Sequence, residues 1–166
     1  MQNKNYPNRK SPRLKGYDYS TTNAYLITIC SHHHRMVFGS VIHGDELTPS
    51  ICKLSNYGEI AEQELLDLPR RYPFVSLDNY VIMPNHIHIL FSLHETDGPC
   101  PNISDIVCTF KSLTTRKCRQ AGFQTTLFQD SFHDEIIRSE AHYLNTWHYI
   151  DINPIKWSLD KYYKER

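Results

Sequence analysis

Two stretches of this 166-residue sequence carry groups that could do chemistry together. The first is Met83-Pro84-Asn85-His86-Ile87-His88-Ile89-Leu90. Pro84 fixes φ and Asn85 tolerates turn geometry, so it reads as a turn feeding a strand. Side chains alternate along a strand, which sets His86, His88 and Leu90 on one face and Ile87, Ile89 and Phe91 on the other. Two imidazoles side by side in an apolar setting suit two ligands of one metal ion, and equally a pair of hydrogen-bonded structural histidines. The second stretch is Tyr149-Ile150-Asp151-Ile152-Asn153-Pro154. On a helix, Asn153 is a neighbour of Tyr149 one turn on, and Pro154 biases Asn153 out of helical geometry, to the helix end. A tyrosine off the buried face of a helix is either ordinary surface packing or a nucleophile.

The elements that must position these groups follow from periodicity. Residues 24–30 are rich in β-formers and read as a central strand. His32, His33 and His34 are consecutive, so their side chains diverge, and the segment reads as a solvated loop or as a phosphate contact through Arg35. Residues 36–48 suggest a short edge hairpin. A helix over about 55–71 buries Ile60, Ala61, Leu65 and Leu68 and ends at Pro69 and Pro73. Strands follow over 75–83 and 86–93. Ser104 is placed to cap a helix of 104–120 with Ile106, Val107, Phe110 and Leu113 buried, stopped by Gly122. Residues 126–129 suggest a short edge strand, and 132–138 lead into a last helix capped near Ser139. In that helix Tyr143, Leu144, Trp147 and Ile150 form the expected core stripe, leaving Tyr149 off it. Strand–helix–strand, strand–helix–strand is the split βαβ pattern. The expected fold is α+β: a ferredoxin-like antiparallel sheet with helices mainly on one face, plus a C-terminal helix carrying the tyrosine.

Composition narrows the function. With 40% hydrophobic and 22% charged residues, the chain reads as one soluble domain over 19–166, preceded by a basic arm over 1–18. No apolar run is long enough for a bilayer, so no membrane partner is expected. Five cysteines without a Cys-x-x-Cys pair point to a reducing cytoplasm. Zero net charge excludes a simple polycation, yet the charges are segregated. Lys4, Arg9, Lys10, Arg13 and Lys15 stand without an acid in the first sixteen residues, and Lys111, Arg116, Lys117 and Arg119 without one in 110–120. Such patches bind polyanions locally, or are a solvated tail and a solvated helix face.

Tyr80-Val81-Ile82-Met83-Pro84-Asn85-His86-Ile87-His88 together with Tyr149-Ile150-Asp151-Ile152-Asn153-Pro154 resembles the single-tyrosine HUH transposases. The branch it resembles is that of the REP-associated tyrosine transposases, relatives of insertion-sequence transposases. Lys15-Gly16-Tyr17-Asp18-Tyr19, Phe110–Arg116, His133–Arg138 and Asn153–Trp157 are similar to this branch too, so the resemblance spans about 15–163. Where many relatives carry Trp-Gln and a basic residue, this chain has Phe128-Gln129-Asp130. The resemblance implies the ferredoxin-like fold and a metal-dependent endonuclease and strand transferase acting on single-stranded DNA. It implies Tyr149 as nucleophile, forming a 5′-phosphotyrosine, and Mg²⁺ or Mn²⁺ held by His86, His88 and Asn153. The implied partner is hairpin-forming, repeat-derived DNA, bound by a monomer or homodimer at the nucleoid. Phosphate contacts are expected from Lys111, Arg116, Lys117 and Arg119, with Arg13 and Lys15 of the arm.

Two other readings compete. A metallo-hydrolase of the metallo-β-lactamase kind expects Asp and His soon after the His-x-His pair, and here Leu90-Phe91 follow. A non-catalytic DNA-binding module on the same fold has no use for Tyr149 and Asn153 beside both histidines.

Overall fold

The computed structural model describes residues 22–45, 47–96 and 101–163. The basic arm, with Arg13 and Lys15, lies outside the described residues. The chain runs through β1 (Ala24–Cys30), β2 (Gly39–Ile42), β3 (Ile51–Leu54), α1 (Asn56–Leu66), α2 (Leu68–Arg71), β4 (Val75–Ile82), β5 (His86–Leu93), α3 (Ile103–Gln120), β6 (His133–Ile136) and α4 (Glu140–Asp151). Four strands form an antiparallel sheet in the order β4-β5-β1-β6, and β2 and β3 pair separately as a hairpin. This is the α+β, ferredoxin-like arrangement expected.

The two faces of the sheet differ in chemistry because residues alternate. Tyr25, Ile27 and Ile29 of β1 and Ile87, Ile89 and Phe91 of β5 are buried against α1 and α3, which contribute Ala61, Leu65, Ile106, Val107 and Phe110 to the main core. Each large side chain buried there contributes on the order of 1.5–3 kcal/mol. The register Leu26–Leu90, Thr28–His88 and Cys30–His86 places the other set on the opposite face, where α4 packs. There Leu90, Ile137 and Ile150 form a second, smaller cluster with Leu26, Val81 and Tyr143 around it.

A bulge in β4 at Leu77/Asn79 aims side chains at α4. Asn79 Nδ2 donates to Asp151 Oδ1 at 2.9 Å and to the Trp147 carbonyl at 3.4 Å. Asp78 accepts from Ser92 Oγ at 2.6 Å and also binds the Tyr143 phenol, whose pKa burial and the carboxylate push up to about 12. On the other face, Glu64 is fully buried and pairs with Arg71 at 2.8 Å and with Lys117.

Several local expectations are corrected. The helix at 55–71 is two pieces, because Asp67 caps the first and Pro69 starts a new turn. The α3 cap is the Asn102 side chain, accepting from Asp105 N, rather than Ser104. The hairpin strands lie at 39–42 and 51–54, not within 36–48. Residues 126–129 form only a Ser31–Phe128 bridge, and the edge strand is β6. The α4 stripe is rotated: Leu144 is 59% exposed and Trp147 38%, whereas Thr146, Ile150 and Asn153 are buried. The helix packs where Tyr143 and Asp151 meet β4, so polar anchoring rather than apolar spacing sets its rotation.

Candidate metal centre and nucleophile

His86 and His88 project from β5 on the α4 face, are essentially inaccessible, and hold their rings 4.6 Å apart at 72°. Each ring is held through Nδ1. His86 Nδ1 lies 2.9 Å from Asn85 Oδ1, and His88 Nδ1 lies 2.8 Å from Thr28 Oγ1. Burial, the leading cause, holds both pKa values down: His86 well below the usual range, with help from the neighbouring His88, and His88 at about 3. Both rings are therefore neutral at pH 7, and a neutral ring held through Nδ1–H has its lone pair on Nε2.

Three groups from the C-terminal part of the chain meet these nitrogens. The Tyr149 hydroxyl lies 3.1 Å from His88 Nε2. Asp160 Oδ2 lies 4.0 Å from His86 Nε2, and ligand atoms of His86, His88 and Asp160 all fall within 4.8 Å of one another. Asn153 is 3% exposed; it raises the His86 pKa and lowers that of Tyr149 as a lesser influence on each. Among the described residues, its Oδ1 and His86 Nε2 are both buried without a hydrogen-bond partner. Two orphaned lone pairs beside a carboxylate and a second imidazole are what a bound cation would satisfy, so the residues fit a divalent metal with N and O ligands. The Tyr149 phenol is pushed up, first by burial and then by the Asp160 charge. Both effects disfavour the phenolate, and a cation at the histidines would oppose them.

A cleft of about 650 Å³ opens onto this group. Leu26, Thr28 and His88 of the sheet line it together with residues of β6 and α4, among them Tyr149, and with Asn153, Lys156, Asp160 and Lys161 from the chain beyond α4. Tyr162, the other tyrosine at the histidines, packs its ring 4.7 Å from His86 and hydrogen-bonds Cys30. Its phenol too is pushed up, first by burial and then by the neighbouring Cys30.

The basic residues divide. Arg116 and Arg119 line an open groove of about 810 Å³ between α3 and residues 126–130. Lys111 borders that groove but donates to the Gln129 carbonyl at 2.6 Å and that of Asp130 at 3.0 Å. Lys117 points away, to Glu64. Arg35 binds Thr125 Oγ1 and the Thr126 carbonyl, holding the groove wall.

Asp160, Thr28 and Lys161 were not found from the sequence. Thr28 faces His88 only through the β1–β5 register. Asp160 returns to the histidines because the chain turns back through a single 3-10 turn at Trp157–Leu159, with Trp157 buried beside His86. No spacing rule connects it to His86.

No protein-family model matches the chain. An uncharacterized protein of Haemophilus influenzae is 31% identical over 173 residues, covering 93% of each chain. The structure of a REP-associated tyrosine transposase bound to a REP hairpin superposes with a TM-score of 0.62 at 19% identity, over 90% of this chain and 77% of that one. The chain thus belongs to the same family as the Haemophilus influenzae protein, and its fold is that of a REP-associated tyrosine transposase.

Proposed function

We propose that this protein is a transposase-like enzyme that cuts and rejoins single-stranded DNA through a covalent tyrosine intermediate. The observation that carries the reading is the Tyr149 hydroxyl at 3.1 Å from His88, lining an open cleft next to the buried imidazole pair. Tyr149 Oη attacks the scissile phosphorus, the bond from phosphorus to the 3′ oxygen breaks, and that oxygen leaves as a hydroxyl after taking a proton. The phenol proton passes to solvent in the cleft. The phosphotyrosine conserves the bond energy, so the 3′-OH of another strand reverses the step without ATP. His86 and His88, with oxygens of Asn153 or Asp160, would hold Mg²⁺ or Mn²⁺, which would lower the charge on the scissile phosphate. Asn79 and Asp78 anchor α4 through Asp151 and Tyr143, and this fixes where Tyr149 stands.

A single strand fits because one nucleotide must enter a cleft walled on two sides. Arg116 and Arg119, in a groove on the other face of the sheet, are the phosphate contacts for the rest of a hairpin. The solved relative in fold binds such a hairpin. Among the described residues no helix is long and apolar enough to cross a membrane. Incubation with single-stranded hairpins and Mn²⁺ tests the reading. Wild type should yield a protein–DNA adduct on a denaturing gel that carries the 5′ end of the cut strand. Tyr149→Phe should yield none while keeping fold and DNA affinity. An adduct that persists in Tyr149→Phe, or maps to Tyr162, refutes it.

A further inference from the structure

Asn85 sits in the turn before β5, yet its side chain is fully buried and makes three directed contacts. Nδ2 donates to the Tyr162 carbonyl at 2.7 Å and to the His34 carbonyl at 3.4 Å. Oδ1 faces His86 Nδ1 at 2.9 Å. Two carbonyls can only accept, so they fix which end of the amide is nitrogen. The flipped amide would set oxygen against oxygen at 2.7 Å. Oδ1, so oriented, can in turn only accept, and the proton it accepts must sit on His86 Nδ1. The Asn85 main chain is held as well, its carbonyl accepting from Ser31 N at 2.9 Å.

We infer that Asn85 is a positioning residue: it fixes His86 as the Nδ1–H tautomer with Nε2 turned to the candidate metal centre, and it takes its own orientation from the Tyr162 carbonyl. A main-chain atom of the C-terminal turn thereby decides which His86 nitrogen is a ligand. The same turn brings in Asp160, so one segment delivers a carboxylate and prepares an imidazole. The consequence for metal binding rests on the function proposed above; the tautomer itself does not.

Long-range ¹H–¹⁵N NMR of the ring nitrogens, on full-length protein freed of metal with EDTA, reads the tautomer directly. Wild type should show His86 protonated on Nδ1. Asn85→Ala should lose that preference and bind Mn²⁺ about 10–100-fold more weakly by electron paramagnetic resonance titration. Asn85→Asp keeps the acceptor and loses the donors. It should restore the Nδ1–H tautomer and most of the Mn²⁺ affinity, while amide exchange of residues 160–163 speeds up. A wild-type His86 protonated on Nε2 overturns the inference, even if Asn85→Ala does not fold. So does Asn85→Ala with unchanged tautomer and affinity, or Asn85→Asp with an unloosened turn. If the tautomer is as stated and no adduct forms at Tyr149, the proposed function fails and this inference stands.

Discussion

Lowering the pH on metal-free protein should expose the strain of keeping His88 neutral. Its pKa of about 3 in the folded chain compares with about 6.5 when unfolded. Between these values the unfolded state binds a proton that the native state does not, so stability rises with pH and is lost as pH falls. The loss begins near pH 6.5 and levels off below about 3. At pH 7 the contribution is near zero, and at pH 5 it is about 1.5 pH units times 1.36 kcal/mol, or about 2 kcal/mol. His86, also depressed, adds a loss of the same sign. Urea unfolding with EDTA at pH 7 and pH 5 measures the total, and His88→Gln isolates one part. The wild-type midpoint should fall by about 1 M more than that of the variant, for a slope of about 2 kcal/mol/M. Equal pH dependence in the two proteins would show that His88 is not buried as a neutral ring, and the argument that it offers a metal a neutral imidazole would go with it.

Asp160→Ala and Asn153→Ala should each weaken Mn²⁺ binding by about tenfold or more, measured by calorimetry; unchanged affinity in both would mean that neither oxygen is a ligand. Arg116→Ala with Arg119→Ala should reduce the salt slope of single-stranded DNA binding by about 1.4, at about 0.7 per phosphate contact. An unchanged slope removes the groove from the interface. Lys117→Ala should leave that slope alone and cost about 1–3 kcal/mol in thermal unfolding, because buried Glu64 loses a partner.

What could be read from the sequence was whatever repeats with a period. The two-residue alternation of 86–93 put both histidines on one face, and the four-residue step from Tyr149 put Asn153 beside it; both are present in the structure. The central strand 24–30 was legible because it is a continuous β-forming run. Features that depend on tertiary partners were not. The rotation of α4 is set by Asn79 and Asp78 from a bulge, and a bulge leaves no periodic trace. β6 escaped because His133-Asp134-Glu135 looks like surface until β1 supplies its pairing. Lys117 looked like its neighbours on 110–120, and only the approach of α1 separates it from Arg116 and Arg119.

The alternation in β5 also bears on how the gene can change. Ile87, Ile89 and Phe91 fill the core under α1 and α3, and His86, His88 and Leu90 face α4. Replacing one of these residues alters one face at one point. Losing or gaining a single codon between 86 and 93 turns every later side chain over, sending an imidazole toward Phe110 and an isoleucine toward Tyr149. The turn before the strand, where Met83 N donates to the His86 carbonyl at 2.8 Å, fixes the phase of that alternation. Along this strand the reading frame of the protein is its register with β1 and β4, so the lineage can explore new residues there far more freely than new lengths.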